Sequence, residues 1–143
     1  MKIEMKPIGV FHTQEKNIPR HWSVSEVIGT IEIERIYEPG LKDIAAGEKI
    51  IVLFNFHQSK KFDPGFLCQT PPNKEKPMGV FSICSPFRPN PIGLSVLKVL
   101  KIEANMITVK HADMLDGTPI LDIKPHIEGQ TDCPSCPQES GEI

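Results

Sequence analysis

Two stretches of the chain concentrate side chains able to bind or catalyse. Residues 79–93 read GVFSICSPFRPNPIG, with Arg88 and Asn90 set among Pro86, Pro89 and Pro91. Proline fixes φ, removes an amide donor and pushes the residue before it toward extended backbone, so this stretch is neither helix nor central strand. It is a stiff loop, and stiffness lowers the entropy lost when side chains are held for a ligand. Residues 113–125 read DMLDGTPILDIKP, where Asp116-Gly117-Thr118-Pro119 is a tight-turn signal with glycine supplying φ > 0. Taken alone, such a turn is more often hairpin punctuation than a site. His111, Asp113 and Asp116 also have metal-ligand chemistry, but H-x-D spacing is weak evidence because alternate strand residues share a face by default.

The elements that must position these loops are strands. EVIGTIEIERI alternates Val27, Gly29, Ile31 and Ile33 against Ile28, Thr30, Glu32 and Glu34, the pattern of a half-buried strand. KIIVLFNF from Lys49 is continuously apolar and predicts a strand buried on both faces or lying in a barrel wall. PIGVF near the amino terminus, MGVFSIC at 78–84, LSVLKVLKIE at 94–103, MITVKH at 106–111 and ILDI at 120–123 complete the set, with Ala104-Asn105 as a hairpin turn. One weak helical turn is expected around Glu38 to Ala46. The fold class is therefore all-β, a small antiparallel β-barrel or sandwich of about seven strands. The loops at 12–25, 57–77, 85–93 and 112–119 carry nearly all the Pro, His, Asp and Gly, so chemistry belongs there. No glycine-rich loop opens a helix after a strand, which excludes a Rossmann-type nucleotide site.

At 143 residues the chain fits one domain that needs no staples, and a net charge of −2 excludes a globally basic nucleic-acid binder. RNA contact would fall to a local rim of Arg20, Lys60, Lys61, Lys74 and Lys76. No apolar run is long enough to span a bilayer, and MKIEMKPIGV lacks a signal-peptide core, so a cytoplasmic protein without a membrane partner is expected. Cys68, Cys84, Cys133 and Cys136 are expected to be reduced, and the single C-x-x-C at Cys133 and Cys136 is at best half a zinc site in a polar tail.

FRPNPIGLSV followed by DMLDGTPILDIKPHI closely resembles the TsaA-like (TrmO) family, whose best-known members are tRNA (adenine)-N6-methyltransferases using S-adenosylmethionine. IGVFHT, IPRHW at 18–22, LFNFHQS at 53–59 and QTPPN at 69–73 match in order and spacing, so the resemblance covers most of residues 5–127. It implies a small β-barrel, usually dimeric, with the cofactor held in loops near the dimer interface. It divides the chain into a barrel domain at 1–130 and a polar, flexible tail at 131–143. Three departures stand out. Ile83-Cys84-Ser85 replaces the family's T-R-S, His126 replaces an aromatic residue, and His21-Trp22-Ser23 replaces glutamine followed by small residues.

Carried over by position, the resemblance implies a cofactor site of His21, Trp22, Ser23, His57, Gln58, Asp113, Leu115, Asp116 and Gly117. Arg88, Asn90, Asp116 and His57 are the catalytic candidates, Arg20, Arg88 and Lys124 the substrate contacts, and no metal is expected. Each has an ordinary alternative. Trp22 either stacks on an adenine or anchors the core, and His57 ends a buried strand where a core histidine is commonplace. Arg88 either orients substrate or pairs with a carboxylate such as Asp122, while Asp113 and Asp116 either bind or only hold their turn. Three activities are open: an S-adenosylmethionine-dependent methyltransferase acting on a threonylcarbamoyl-modified adenosine beside the tRNA anticodon; a non-catalytic cofactor- or nucleotide-binding module of the same fold; and a metal-dependent hydrolase built on His111, Asp113 and Asp116.

Overall fold

Strand alternation decides the architecture. A computed structural model describes residues 1–127. Its strands are β1 (Gly9–His12), β2 (Ile28–Ile33), β3 (Lys49–Asn55), β4 (Cys68–Gln69), β5 (Met78–Gly79), β6 (Ile92–Glu103), β7 (Met106–Lys110) and β8 (Pro119–His126). Six of them form an antiparallel sheet in the order β1-β2-β7-β6-β3-β8, and β1 pairs with β8 as well as β2, so the sheet closes on itself into a barrel. β4 and β5 form a separate two-stranded sheet. Helix among the described residues is limited to short 3-10 segments at Trp22–Val24, Arg35–Leu41, Pro64–Leu67 and Val80–Ser82.

Inward positions supply one core: Phe11, Ile31 and Ile33, Ile50, Val52 and Phe54, Leu97 and Val99, Ile107 and Val109, and Ile120, all buried. The barrel is narrow enough that large and small residues must face each other. A Cβ at Gly93 would lie 2.3 Å from the Phe54 ring, so only glycine fits there. The glycine that closes the RPNPIG run is thus a packing requirement of the wall. The β6–β7 register shifts between Val99 and Lys101, and the β3–β8 register between Leu53 and Phe54; such irregularities bend strands and help a small sheet to close.

Two expectations need correction, and a third resolves between its alternatives. Residues 78–84 do not make a barrel strand: only Met78–Gly79 is extended, and a 3-10 turn follows with Val80 buried and Phe81 exposed. Closure explains this, because β3 already has β6 and β8 as neighbours and no edge remains to pair with. β3 buries alternate residues and not both faces, as a barrel wall requires. The helical turn begins at Arg35, before Glu38, and continues as turns to the start of β3. Cys133 and Cys136 lie outside the described residues, as does all of the predicted tail at 131–143.

Candidate functional site

Antiparallel closure sorts the connections between two ends. β1, β3 and β7 finish, and β2, β6 and β8 begin, at the same end, so the connections 13–27, 56–91 and 111–118 all emerge together. Every predicted site residue except Lys124 belongs to these three segments.

The turn at 111–118 sits at the centre. Gly117 adopts φ +83°, its N–H donates to Phe11 O at 2.8 Å, and a Cβ there would lie 3.8 Å from His57 Nε2. The exit of β3 and the D-G turn are therefore neighbours, which places His57 at the mouth and not in the core. Asp116 is exposed, accepts from the backbone N–H of Thr13 at 3.0 Å, and lies 4.0 Å from His12 Nδ1. His12 in turn meets Glu32 at 3.1 Å. The D-G turn is pinned to the end of β1, while its carboxylate and the exposed Leu115 still face solvent.

Asp113, by contrast, turns into the barrel mouth. Its carboxylate accepts from the hydroxyl of Ser95 and faces the backbone N–H groups of Trp22 and of Asp113 itself; burial raises its pKa above the ordinary aspartate value, while these polar neighbours and nearby His21 oppose the rise. Trp22 belongs to both of its alternatives: it packs against the core cluster yet remains half-buried, with its ring 4.9 Å from that of His21. His21 Nδ1 lies 2.7 Å from Ser23 Oγ and also accepts from the Ser23 N–H, capping the 3-10 turn Trp22–Val24. A second rivet joins the same segments. Buried Ser25 donates to Ala112 O at 2.5 Å, and His111 Nδ1 donates to Ser25 O at 2.8 Å with His111 held at φ +76°.

The proline-rich loop packs on the exit of β3. Phe56 N–H donates to Pro91 O at 2.8 Å, and Ser59 Oγ donates to Pro86 O at 3.1 Å. Arg88 does not meet Asp122; its Nη1 donates to Ile83 O at 3.0 Å and Ser85 O at 3.1 Å. The guanidinium thereby ties the loop to the Ile83-Cys84-Ser85 segment, while Asn90, Gln58 and Arg20 are exposed. Lys124 stands apart. It lies five residues along β8 from Pro119, about 16 Å at ordinary strand rise, and pairs with Asp122 at 3.0 Å. The structure does not bring it to the loop end.

His111, Asp113 and Asp116 each answer to a different partner, and no group of three His, Cys, Asp or Glu side chains among the described residues is arranged to hold a metal ion. A cleft of about 710 Å³ lies at the opposite end of the barrel, among Gly40, Lys42, Ile44, Ile50, Ile123 and His126. Its size does not make it the site, because it contains none of the convergent loops. Sequence reasoning missed Ser95, Ser25 and His12. For Ser95 a signal existed: a hydroxyl in the inward series Gly93, Ser95, Leu97, Val99 demands a buried partner.

Known proteins share this arrangement. The model of the tRNA-methyltransferase O N-terminal domain matches residues 8–133. An S-adenosyl-L-methionine-binding protein of Archaeoglobus fulgidus is 38% identical over 133 residues, covering 90% of this chain and 92% of its own. The mouse tRNA (adenine(37)-N6)-methyltransferase is 39% identical over 90 residues, 63% of this chain but 21% of its own. The crystal structure of TrmO from Pseudomonas aeruginosa superimposes with a TM-score of 0.73 at 28% identity, covering 93% of this chain and 61% of that one. The chain thus spans under two thirds of that structure. With the match running through all three loops of the site, the chain belongs to the tRNA-methyltransferase O N-terminal-domain family.

Proposed function

We propose that this chain is an S-adenosylmethionine-dependent tRNA methyltransferase that acts on the exocyclic nitrogen of an adenosine next to the anticodon, modified with threonylcarbamoyl, and works as a homodimer. The observation that carries the reading is the convergence of the family's motif loops at one barrel end, in a chain whose relatives are named for S-adenosylmethionine binding and tRNA adenine methylation.

The residues at that end fit the cofactor. The half-buried Trp22 and His21 rings offer a bed for the purine, exposed Leu115 adds apolar surface, and Asp116 offers an acceptor for a hydroxyl or ammonium group. When bound, S-adenosylmethionine supplies an electrophilic methyl group. His57 borders the D-G turn from the β3 exit, where Gly117 is required by its φ of +83°. Asp116 or His57 takes the proton lost by the nitrogen, or water does so directly. Alignment supplies much of the rate in such an in-line transfer, and the Arg88-tied proline loop is built to hold it. Arg20 and the lysines of 60–76 form the RNA rim; Lys124 serves only an RNA long enough to reach the barrel wall.

The outer wall supports the dimer. Ile92, Leu94 and Val96 of β6 lie beside Asn55, Leu53 and Ile51 of β3, making an apolar stripe with Leu94 53% exposed. Calorimetric titration with S-adenosylmethionine, followed by single-turnover methylation of unmodified and threonylcarbamoylated tRNA, tests the reading; absence of binding at millimolar cofactor would overturn it. One observation favours a second reading, a binding module without turnover: Cys84, exposed, stands where an arginine is expected, and Arg88 is occupied by backbone carbonyls. Binding without methyl transfer to either RNA would select it.

A further inference from the structure

We propose that Ser95 is a positioning residue for the cofactor site: through Asp113 it holds the Trp22 turn at the barrel mouth, making Asp113 an anchor of the site and not a ligand contact. The proposal rests on the reading of the loop end as the cofactor site.

The geometry is specific. Ser95 is fully buried on the inward face of β6, where a hydroxyl without a partner costs about 1–3 kcal/mol, and its one hydrogen-bond acceptor among the described contacts is Asp113 Oδ1. The Asp113 carboxylate accepts from the Ser95 hydroxyl and faces the backbone N–H groups of Trp22 and of Asp113 itself. The Trp22–Val24 turn packs directly against β6, and Ser25 at its end is bonded to Ala112, next to Asp113. The one tryptophan of the chain is therefore fixed to the wall by a chain of polar contacts that begins at Ser95. A residue so engaged has little left to offer a ligand, whereas the rings of His21 and Trp22 that it positions remain half-buried at the mouth.

The charge state of Asp113 gives the arrangement a measurable signature. Burial raises its pKa and the Ser95 hydrogen bond lowers it; the Trp22 turn presents His21, β6 presents Ser95, and its own loop carries His111, bonded to Ser25, and Asp116, bonded to Thr13. Protonation of Asp113, which burial moves above the ordinary aspartate value, weakens the carboxylate as an acceptor for the Trp22 N–H. Removal of the Ser95 hydroxyl takes away a bond that favours the ionised form, so that protonation then occurs at higher pH.

Because Trp22 is the only tryptophan, its fluorescence reports the turn without cofactor or activity. In the full chain, Trp22 emission should show an acid transition that moves to higher pH in Ser95→Ala and vanishes in Asp113→Asn. At neutral pH, Ser95→Ala should weaken S-adenosylmethionine binding on the order of tenfold, as expected for a lost charge-assisted bond. An unchanged emission midpoint in folded Ser95→Ala would overturn the proposal; if that variant does not fold, persistence of the whole acid transition in Asp113→Asn would do so. Wild-type affinity in Asp113→Asn with a loosened Trp22 turn would also overturn it. A shifted emission midpoint in a chain that binds no cofactor would instead sink the cofactor reading and leave Ser95 as the anchor of the turn.

Discussion

The two ends of the barrel are built from the same strands and solve different problems. At one end two connections turn back: residues 34–48 join β2 to β3, and the Ala104-Asn105 hairpin closes β6 onto β7, where Ala104 takes φ +51° and the buried Asn105 side chain donates to Ile33 O at 2.7 Å. At the other, three connections emerge together and hold one another through polar groups. Of the four buried polar side chains among the described residues, Ser25, Ser95 and Thr118 lie at the loop end and only Asn105 at the turn end. Buried polar groups cost stability unless paired and specify geometry when they are. Their concentration at the loop end marks where the fold gives up apolar packing for fixed positions. Cavity size points the other way, since the 710 Å³ cleft is at the turn end. Convergent polar geometry is the better guide.

That contrast can be broken by substitution. The wall common to both ends should show the largest stability effect: Phe54→Ala removes the ring packed on Gly93 and should cost about 3–5 kcal/mol, read from urea unfolding. A cost under about 1 kcal/mol would mean the two ends do not share one core. Arg88→Lys acts at the loop end alone. The compact lysine ammonium lacks the planar guanidinium whose Nη1 bonds both Ile83 O and Ser85 O, so single-turnover methylation should fall by tens to hundreds of fold, about 2–4 kcal/mol, with a smaller change in melting temperature. Wild-type turnover in that variant would remove Arg88 from the site.

Asn105→Ala is the matched change at the turn end. It strips the donor from Ile33 O and should destabilise by about 1–3 kcal/mol in thermal or urea melts while leaving S-adenosylmethionine affinity as it was. An affinity loss there would couple the ends and weaken the distinction. The smallest effect expected is the pH dependence of stability. Asp113 has a folded pKa above its unfolded one because burial disfavours the charged form, so its contribution to stability is present below the unfolded value of 3.8 and is lost as pH rises through the folded value. Wild type compared with Asp113→Asn should therefore lose relative stability as pH rises from below 3.8 through the raised folded value. A difference that grows with pH would show that Asp113 gains more from its donors than it loses by burial.

Much of this molecule was legible in the chain itself. The alternation of Gly29, Ile31 and Ile33 and the hairpin at Ala104-Asn105 are local patterns, set by the two-residue period of a strand and by turn geometry, and they appear where expected. The paired RPNPIG and DGTP runs marked the family because prolines and glycines constrain backbone wherever they stand. What local pattern does not contain is which side chains meet. MGVFSIC is as apolar as a strand, yet it stays outside the barrel because strand pairing is decided by which edges remain free, and closure leaves none. Arg88 finds backbone carbonyls and not Asp122, Lys124 is carried away along β8, and Asp113 and Asp116, three residues apart, face inward and outward at the same turn. The strands and their order of polarity were determined by the sequence alone, since their causes lie within a few residues. The union of three distant loops, and the buried Ser95–Asp113–Trp22 connection at their base, was decided only when the sheet closed and brought residues far apart in the chain within hydrogen-bonding distance.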